Sequence, residues 1–244
     1  MPSVRFAGSG DAVASGGRFQ ACIVVSSTDR RVLLDCGASS LPALKRERID
    51  PDSLDAIFVS HLHGDHFAGI PFLVLDGQLA HRSRPLVVAG PREIERRVRA
   101  AMVTMYPGFA TEPLRFPLEF VELQPDDERE VAGVRVRAWS VPHDPLSNPL
   151  ALRIGVGGRT IAYSGDSAWT PALAEVSRDA DLFICEAQTM TPKARIHVSY
   201  AEVLAHRSEF RARRLVLTHL GADVIAAERL EFERAHDGMS IEVE

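Results

Sequence analysis

Three histidines and an aspartate lie within six residues of this chain, in the segment HLHGDH at positions 61–66. The apolar residues 57–60 directly before it predict a buried strand that delivers the segment to one end of a sheet. Side chains alternate along an extended chain, so His61 and His63 emerge on the same side. Core packing does not explain such a cluster, and we interpret it as a set of metal ligands.

The second half of the HLHGDH segment is predicted to direct its side chains toward a second metal position. Gly64 permits a tight turn, after which Asp65 and His66 face away from the first two histidines. Imidazole and carboxylate groups suit zinc, manganese or iron. Cysteine is missing from the cluster, which argues against a purely structural zinc site. We therefore predict a divalent metal centre, with zinc expected and manganese or iron left open.

Three further candidate ligands stand at the ends of other predicted strands. They are His143, Asp166 and His219, each following an apolar run. Each signal is weak alone, because aspartates are common in turns and half-buried histidines often bond to backbone groups. Taken with the first cluster they complete two metal sites. The predicted ligands of two divalent ions are His61, His63, Asp65, His66, His143, Asp166 and His219.

The remaining pattern predicts an α/β fold. Short apolar runs separated by Gly, Pro, Asp and Ser predict strands. They cover residues 4–7, 21–26, 32–35, 56–60, 119–123, 134–141, 150–156, 160–164, 182–186, 215–218 and 239–243. Predicted helices cover residues 39–48, 67–80, 91–106, 199–211 and 223–235, and one more begins at Pro171.

Two stretches of the chain resemble one another, DAIFVSHLHGDH in the first half and RLVLTHLGAD in the second. In both, a buried strand ends in a histidine before a glycine turn and a helix. Two such halves would form a four-layer αββα sandwich with one shared site. Linkers, low-complexity tracts and charge blocks are lacking, so we predict one domain over residues 1–244.

Composition limits the partners of the protein. The formal net charge is −5, so no global basic field would attract a long nucleic acid, whereas a small anionic substrate stays compatible with a metal centre. The N-terminus lacks a secretory signal and no apolar run approaches the ~20 residues needed to span a bilayer, so a cytoplasmic location is expected. Cys22, Cys36 and Cys185 are predicted to be buried thiols. The oligomeric state, including a homodimer, is left open.

In this order, the motifs HLHGDH, VPH, SGDS and LTHLG resemble the metallo-β-lactamase superfamily. The resemblance runs from about Gly8 to the end of the chain. It implies that one ion is bound by His61, His63 and His143, and the other by Asp65, His66 and His219. It also implies that Asp166 bridges the ions. Asp35, in the segment LDCG, is implied to orient a ligating imidazole without binding an ion itself.

Within the superfamily the chain is similar to the ribonuclease Z and phosphodiesterase branch. The segment IHVS resembles that branch's His-Ser-Thr element, which implies that His197 is a general acid assisted by Glu186. The alternatives are a loop histidine and an ordinary carboxylate at a strand end. Asp65 is expected to orient the attacking water or accept its proton. Lys193 and Arg195 are candidates for contacts to a substrate phosphate, or else loop charges.

The chain departs from transfer-RNA processing enzymes between His143 and Asp166. Residues 144–165 suffice for a hairpin, so the long arm that grips transfer RNA has no room there. We therefore predict a phosphodiesterase for a small or cyclic phosphodiester. A basic helix strip formed by Arg92, Arg96, Arg97 and Arg99 could bind RNA, but such strips are usually solvated faces.

Two other functions compete with this prediction. A hydrolase of carboxylic esters, lactones or thioesters could use the same metals. A non-catalytic metal-bearing accessory or carrier protein is a different class, and a placed acid at His197 argues against it. A diiron redox protein is disfavoured, because such proteins replace a histidine of the first motif with a carboxylate.

Overall fold

The computed structural model describes residues 1–193 and 195–244. Two seven-stranded sheets pack face to face, and helices cover the outer face of each sheet. This arrangement confirms the predicted four-layer αββα sandwich. Within the described residues, no helix combines the length and the apolar character that crossing a membrane would require.

The strands in chain order are β1 (Ser3–Gly8), β2 (Cys22–Ser26), β3 (Arg31–Leu34), β4 (Ala56–Phe58), β5 (Leu86–Gly90), β6 (Leu118–Glu122), β7 (Glu128–Val131), β8 (Val134–Ser140), β9 (Leu150–Val156), β10 (Arg159–Tyr163), β11 (Leu182–Glu186), β12 (Leu215–Thr218), β13 (Glu233–Arg234) and β14 (Ser240–Glu242). The α-helices are α1 (Ser40–Arg46), α2 (Gly64–Phe67), α3 (Ile70–Leu79), α4 (Ile94–Met105), α5 (Pro171–Ser177), α6 (Tyr200–Ala205) and α7 (Ala222–Ala226).

Both sheets are mixed. The first has the order β14-β1-β2-β3-β4-β5-β6 and is parallel from β3 to β6, whereas the second has the order β13-β12-β11-β10-β9-β8-β7 and is parallel from β10 to β13. The carboxyl ends of parallel strands share one edge of a sheet. Loops that follow β3, β4, β10, β11 and β12 therefore meet at one end of the sandwich, where such folds usually place a site.

The main core lies between the two sheets. Phe6 and Phe58 from the first sheet pack there with Tyr163 from the second, all at 1% exposure or less. Two outer cores fill the space between each sheet and its helices. Central strands are buried on both faces, which explains why they read as continuous apolar runs rather than alternating ones.

Several local predictions are confirmed. Strands β9, β11 and β12 have the predicted bounds. Gly157 and Gly158 join β9 to β10 with positive φ angles of 56° and 77°. Ser199 and Glu202 form the predicted capping box at the start of α6. Each signal depends on local backbone chemistry, and this explains why it could be read from sequence.

Two predicted helices are shorter than expected. The helix predicted over 67–80 is divided into α2 and α3, because the Gly69 N–H donates to the Cys36 carbonyl at 2.8 Å instead of continuing the helix. The helix predicted to reach residue 211 ends at Ala205. Arg211 bonds instead to the turn after α5, through the Asp179 N–H and the Ser177 hydroxyl.

The helix predicted over residues 223–235 is wrong beyond Ala226. Arg234 lies in β13, and its guanidinium donates to the carbonyls of Val224, Ile225 and Ala227, which end α7. An edge strand at Glu128–Val131 was not predicted, because its charged residues give no apolar pattern. Both differences arise from contacts between distant segments.

The three cysteines are free and buried, as predicted. Cys22, Cys36 and Cys185 have no exposed surface. Burial raises the pKa of the Cys22 thiol to about 12 and that of Cys36 well above its usual value. Uncharged thiols in apolar surroundings are poor metal ligands and nucleophiles.

A hydrogen-bonded staple joins the two ends of the chain beside the edge where the strands end. The Asp237 carboxylate accepts hydrogen bonds from the Ser9 N–H at 3.0 Å, the Ser9 hydroxyl at 2.9 Å and the Phe19 N–H at 2.8 Å. The Ser9 carbonyl in turn accepts from the His219 N–H at 3.1 Å. The backbone of a candidate ligand is thus held by both ends of the chain.

The turn before Asp166 gives a test of the fold. Gly165 has a φ of +57°, and a methyl group there would lie 2.8 Å from the Leu150 carbonyl oxygen. Gly158 has a φ of +77°, but no described residue has an atom within 4 Å of the corresponding position. We expect Gly165→Ala to lower the free energy of unfolding by about 3 kcal/mol, against about 1 kcal/mol for Gly158→Ala.

Urea denaturation in the presence of a chelator measures both changes without a contribution from bound metal. Equal losses in the two variants would show that the close packing around Gly165 is not as tight as described.

Candidate metal centre

The predicted ligands converge at the end of the sandwich where the strands of both sheets terminate. All of them except His63 are at 8% exposure or less. They form two sets, in each of which the candidate ligand atoms lie within 4.8 Å of one another. The first set is His61, His63 and His143, and the second is Asp65, His66, Asp166 and His219.

Three imidazole nitrogens face one another in the first set. His63 Nδ1 lies 3.2 Å from His61 Nε2 and 3.1 Å from His143 Nε2. The other nitrogens of two rings are engaged outward: His63 Nε2 bonds Asp144 Oδ2 at 3.0 Å, and His143 Nδ1 bonds the Ile196 carbonyl at 2.7 Å.

The hydrogen bonds made by His63 Nε2 and His143 Nδ1 determine whether the nitrogens that face one another carry a proton or a lone pair. A neutral imidazole carries one proton, and both outward partners are acceptors, so His63 Nδ1 and His143 Nε2 are left with lone pairs. Two lone pairs at hydrogen-bonding distance repel each other unless a cation lies between them. The donor set therefore fits a divalent metal ion.

The second set places carboxylates against imidazoles. Asp65 Oδ2 lies 3.1 Å from His66 Nε2 and 3.3 Å from His219 Nε2. His66 Nε2 and Asp166 Oδ1 are buried and make no hydrogen bond with the described residues. Buried polar atoms without partners are rare in proteins, and here they belong to groups that ligate metals well.

Asp166 lies between the two sets. Its Oδ2 atom is 3.7 Å from His61 Nε2 in the first set, and 3.4 Å from both His66 Nε2 and His219 Nε2 in the second. A carboxylate with two oxygens can bind two ions at once. This position is the one that a bridging ligand would need.

The electrostatics of the two sets differ. Burial holds the pKa of His61 well below its usual value and lowers that of His143, so these rings are neutral. Burial also opposes protonation of His66, but the carboxylates around it, Asp166 first, hold its pKa well above the usual value. Burial would raise the pKa of Asp166, yet His219 and His66 hold it well below the usual range. The negative charge of the carboxylates therefore lies in the second set, whereas the first set consists of imidazoles alone.

Asp35 lies behind the candidate ligands, in contact with His66. Its Oδ2 atom accepts a hydrogen bond from His66 Nδ1 at 2.7 Å, which leaves His66 Nε2 facing the site. Ser60 and Tyr163 also bond this carboxylate. Neither was predicted, although Ser60 stands directly before the HLHGDH segment and Tyr163 ends the strand before Asp166.

His197 and Glu186 form a pair beside the second set. His197 Nδ1 lies 3.1 Å from both oxygens of Glu186 and 3.9 Å from Asp166 Oδ2. Burial raises the pKa of Glu186, while His197 opposes the rise. Burial lowers the pKa of His197, but Glu186 outweighs this and the net shift is upward. The imidazole is thus held where it can carry a proton.

The basic residues proposed for substrate binding are Lys193 and Arg195, and the first of them is already paired. Lys193 Nζ lies 2.7 Å from Asp223 Oδ2, and Arg195 is exposed next to Ala194, which is outside the described residues. The four arginines of the basic helix strip do not share one role. Arg96 and Arg99 pair with glutamates of their own helix, as expected of a solvated face.

Arg97 differs from the rest of the strip. Its guanidinium donates to the Leu62 carbonyl at 3.1 Å, and the Leu62 N–H donates to the Ser147 carbonyl at 2.9 Å. Both backbone groups between His61 and His63 are therefore fixed. This contact could not be predicted from the sequence, because it depends on where α4 packs.

Known proteins share this architecture. Ribonuclease Z of Methanosarcina acetivorans is 28% identical, over 91% of this chain and 88% of that protein. The crystal structure of the short form of human tRNase Z superposes with a TM-score of 0.82 and 24% identity, over 99% of both chains. A diphosphatase of the PhnP family gives a TM-score of 0.77 and 18% identity, over 100% of this chain and 98% of that one.

Fold and site together define a metal-dependent hydrolase of the metallo-β-lactamase superfamily, in its ribonuclease Z-like branch. This confirms the predicted superfamily and enzyme class. Within that class, the family described as anti-Pycsar protein Apyc1 matches residues 2–237, and the chain belongs to this family.

The contact of Arg97 with the ligand loop gives a second test. We expect Arg97→Ala to weaken Zn²⁺ binding by about tenfold, because partners that hold a ligand loop contribute on this scale. Arg96→Ala is the matched control, since Arg96 bonds only Glu93 among the described residues. Zinc titration against a chromophoric chelator measures both. Equal affinities in the two variants would contradict the role assigned to Arg97.

Proposed function

We propose that this protein is a binuclear metal-dependent phosphodiesterase that acts on a small or cyclic phosphodiester. The observation that carries the proposal is the His197–Glu186 pair, which lies beside Asp166 and supplies a proton where a leaving group would depart. The names of the relatives, ribonuclease Z and tRNase Z among them, support phosphodiester chemistry.

The interval between His143 and Asp166 supports a small substrate. It contains the short turn Pro145–Ser147 and the hairpin of β9 and β10, closed by two glycines. This leaves no segment of the interval to extend from the surface and hold a folded RNA. The formal net charge of −5 also gives no general attraction for a polyanion.

The proposed roles of the ligands follow their grouping. His61, His63 and His143 would hold one ion, Asp65, His66 and His219 would hold the other, and Asp166 lies between the two sets, where it could contact both. Zinc is the expected metal, since imidazole and carboxylate ligands suit it. When bound, the ions supply positive charge that stabilises phosphoryl oxygens and lowers the pKa of a water molecule toward ~7.

Asp65 is proposed to orient the attacking water and accept its proton. Contacts with His66 Nε2 at 3.1 Å and His219 Nε2 at 3.3 Å fix its carboxylate in the site. An aspartate held in this way keeps one oxygen available for a proton while the other stays engaged.

His197 is proposed to protonate the departing alkoxide oxygen. Because Nδ1 is held by Glu186, the ring presents Nε2 to the substrate. Glu186 is fully buried and also accepts the Ser167 N–H at 2.6 Å, so the carboxylate cannot turn away from the imidazole. Lys193 and Arg195 remain candidates for phosphate contacts, and Lys193 would first have to leave Asp223.

A substrate panel tests the proposal with zinc-reconstituted protein. We expect turnover of bis-p-nitrophenyl phosphate and of a cyclic nucleotide at rates well above those for a lactone or a thioester. Site-specific cleavage of precursor transfer RNA should be slow in comparison. Efficient cleavage of that RNA, or a preference for the lactone, would contradict the proposed substrate class.

The acid role of His197 predicts a dependence on the leaving group. His197→Ala should keep both ions, because His197 is not a proposed ligand, and should lower kcat by about 10²–10⁴-fold on substrates with poor leaving groups. p-Nitrophenyl esters need little protonation and should be spared. Asp166→Ala is the comparison, in which metal content and activity should fall together.

Metal analysis of each variant, alongside kcat for both substrate types, separates the outcomes. An equal loss on both substrate types at full metal content would mean that His197 positions the substrate. A metal-depleted His197→Ala variant would mean that His197 is a ligand.

A further inference from the structure

The Asp35 carboxylate receives four hydrogen bonds at the base of the metal centre. Oδ1 accepts from the Ser60 N–H at 2.7 Å. Oδ2 accepts from His66 Nδ1 at 2.7 Å, from the Tyr163 hydroxyl at 2.7 Å and from the Ser60 hydroxyl at 2.8 Å. Tyr163 is at 1% exposure and the other three residues have no exposed surface, so bulk water does not compete for these bonds.

Ser60 has a second contact on its other side. Its hydroxyl oxygen lies 3.0 Å from His61 Nδ1. A hydroxyl has one proton to donate, and a carboxylate can only accept. The hydroxyl proton must therefore point to Asp35, and the Ser60 oxygen must accept a hydrogen bond from the N–H at His61 Nδ1.

The opposite arrangement would be unfavourable. If the hydroxyl donated to His61 Nδ1, its lone pairs would face those of Asp35 Oδ2 at 2.8 Å in a buried setting. A buried contact between two acceptors with no proton between them is destabilising, and this decides between the two arrangements. With the proton on Nδ1, His61 Nε2 keeps a lone pair toward His63 and Asp166.

We propose that Ser60 is a positioning residue that carries the influence of Asp35 to His61. One carboxylate then fixes the imidazole proton in both ligand sets, directly on His66 and through the serine hydroxyl on His61. The inference rests on the proposed metal ligands but not on the identity of the substrate. It assigns to the serine before HLHGDH a role in metal binding other than that of a ligand.

The Ser60 hydroxyl can be removed by mutation without disturbing the backbone around it. The backbone is fixed at both groups, since the N–H bonds Asp35 and the carbonyl accepts the Leu150 N–H at 2.9 Å. Ser60→Ala should therefore remove one hydroxyl without moving the strand end. Tyr163→Phe is the matched control, because it removes another donor to the same oxygen but does not contact His61.

Zinc titration against chromophoric chelators, resolved into two binding steps, gives the first measurement. We expect Ser60→Ala to weaken one ion by about 10–100-fold and to leave the other within about threefold. Asp35→Asn should weaken both ions. Tyr163→Phe should not separate the two binding steps. Equal weakening of both ions by Ser60→Ala, or no weakening of either, would overturn the proposal.

A second measurement needs no variant. Long-range ¹H–¹⁵N spectra of the zinc-loaded wild-type protein report which nitrogen of each histidine carries the proton. We expect Nδ1 for both His61 and His66. A proton on His61 Nε2 would overturn the proposal whatever the titrations show. Protons on Nδ1 in a protein without phosphodiesterase activity would refute the proposed function and leave this inference standing.

Discussion

The structure depends on keeping groups that repel one another close together. In the candidate metal centre, the unprotonated nitrogens His63 Nδ1 and His143 Nε2 lie 3.1 Å apart. The carboxylates of Asp65 and Asp166 both lie close to the same two histidines, His66 and His219. A free chain would separate such groups at once. The two sheets prevent this, because the strands that carry them are buried on both faces and end at a common edge.

Hydrogen bonds on the far side of each ring complete this constraint. Asp35, Asp144 and the Ile196 carbonyl each accept a hydrogen bond from a different imidazole, which leaves the lone pair of that ring facing the site. Some strain accompanies the arrangement. Asp35 and His219 both have left-handed backbone angles, with φ of 59° and 54°, which cost of order 1–3 kcal/mol each. Residues in such conformations gather where a site requires them.

Much of the site could be predicted because its signals are local. The HLHGDH segment and the strand-end residues His143, Asp166 and His219 are visible as patterns of residue type after apolar runs. The αββα architecture followed from the similarity of the two halves and from the resemblance.

The remaining features come from contacts between distant segments. Asp144 holds His63 across 81 positions of sequence, and nothing in either local pattern indicates the pair. In the sequence Arg97 is one of four similar arginines, yet the packing of α4 brings its guanidinium to the Leu62 carbonyl. Strand β13 replaces part of a predicted helix because β12 offers it a partner. A sequence pattern reports the local conformational preferences of residues that are adjacent in the chain. These features depend instead on residues that are distant in the chain and close in the fold.

The staple of Asp237, Ser9 and His219 has a consequence for the order of assembly. The backbone of His219 is held by Ser9, and Ser9 is held by a residue that is synthesised more than two hundred positions later. A nascent chain still lacking Asp237 can form the first histidine cluster but cannot lock the last ligand in place. Because domains fold as they leave the ribosome, completion of the set formed by Asp65, His66, Asp166 and His219 becomes a late event. A half-made chain would thus carry an incomplete set of candidate ligands until its last residues are in place.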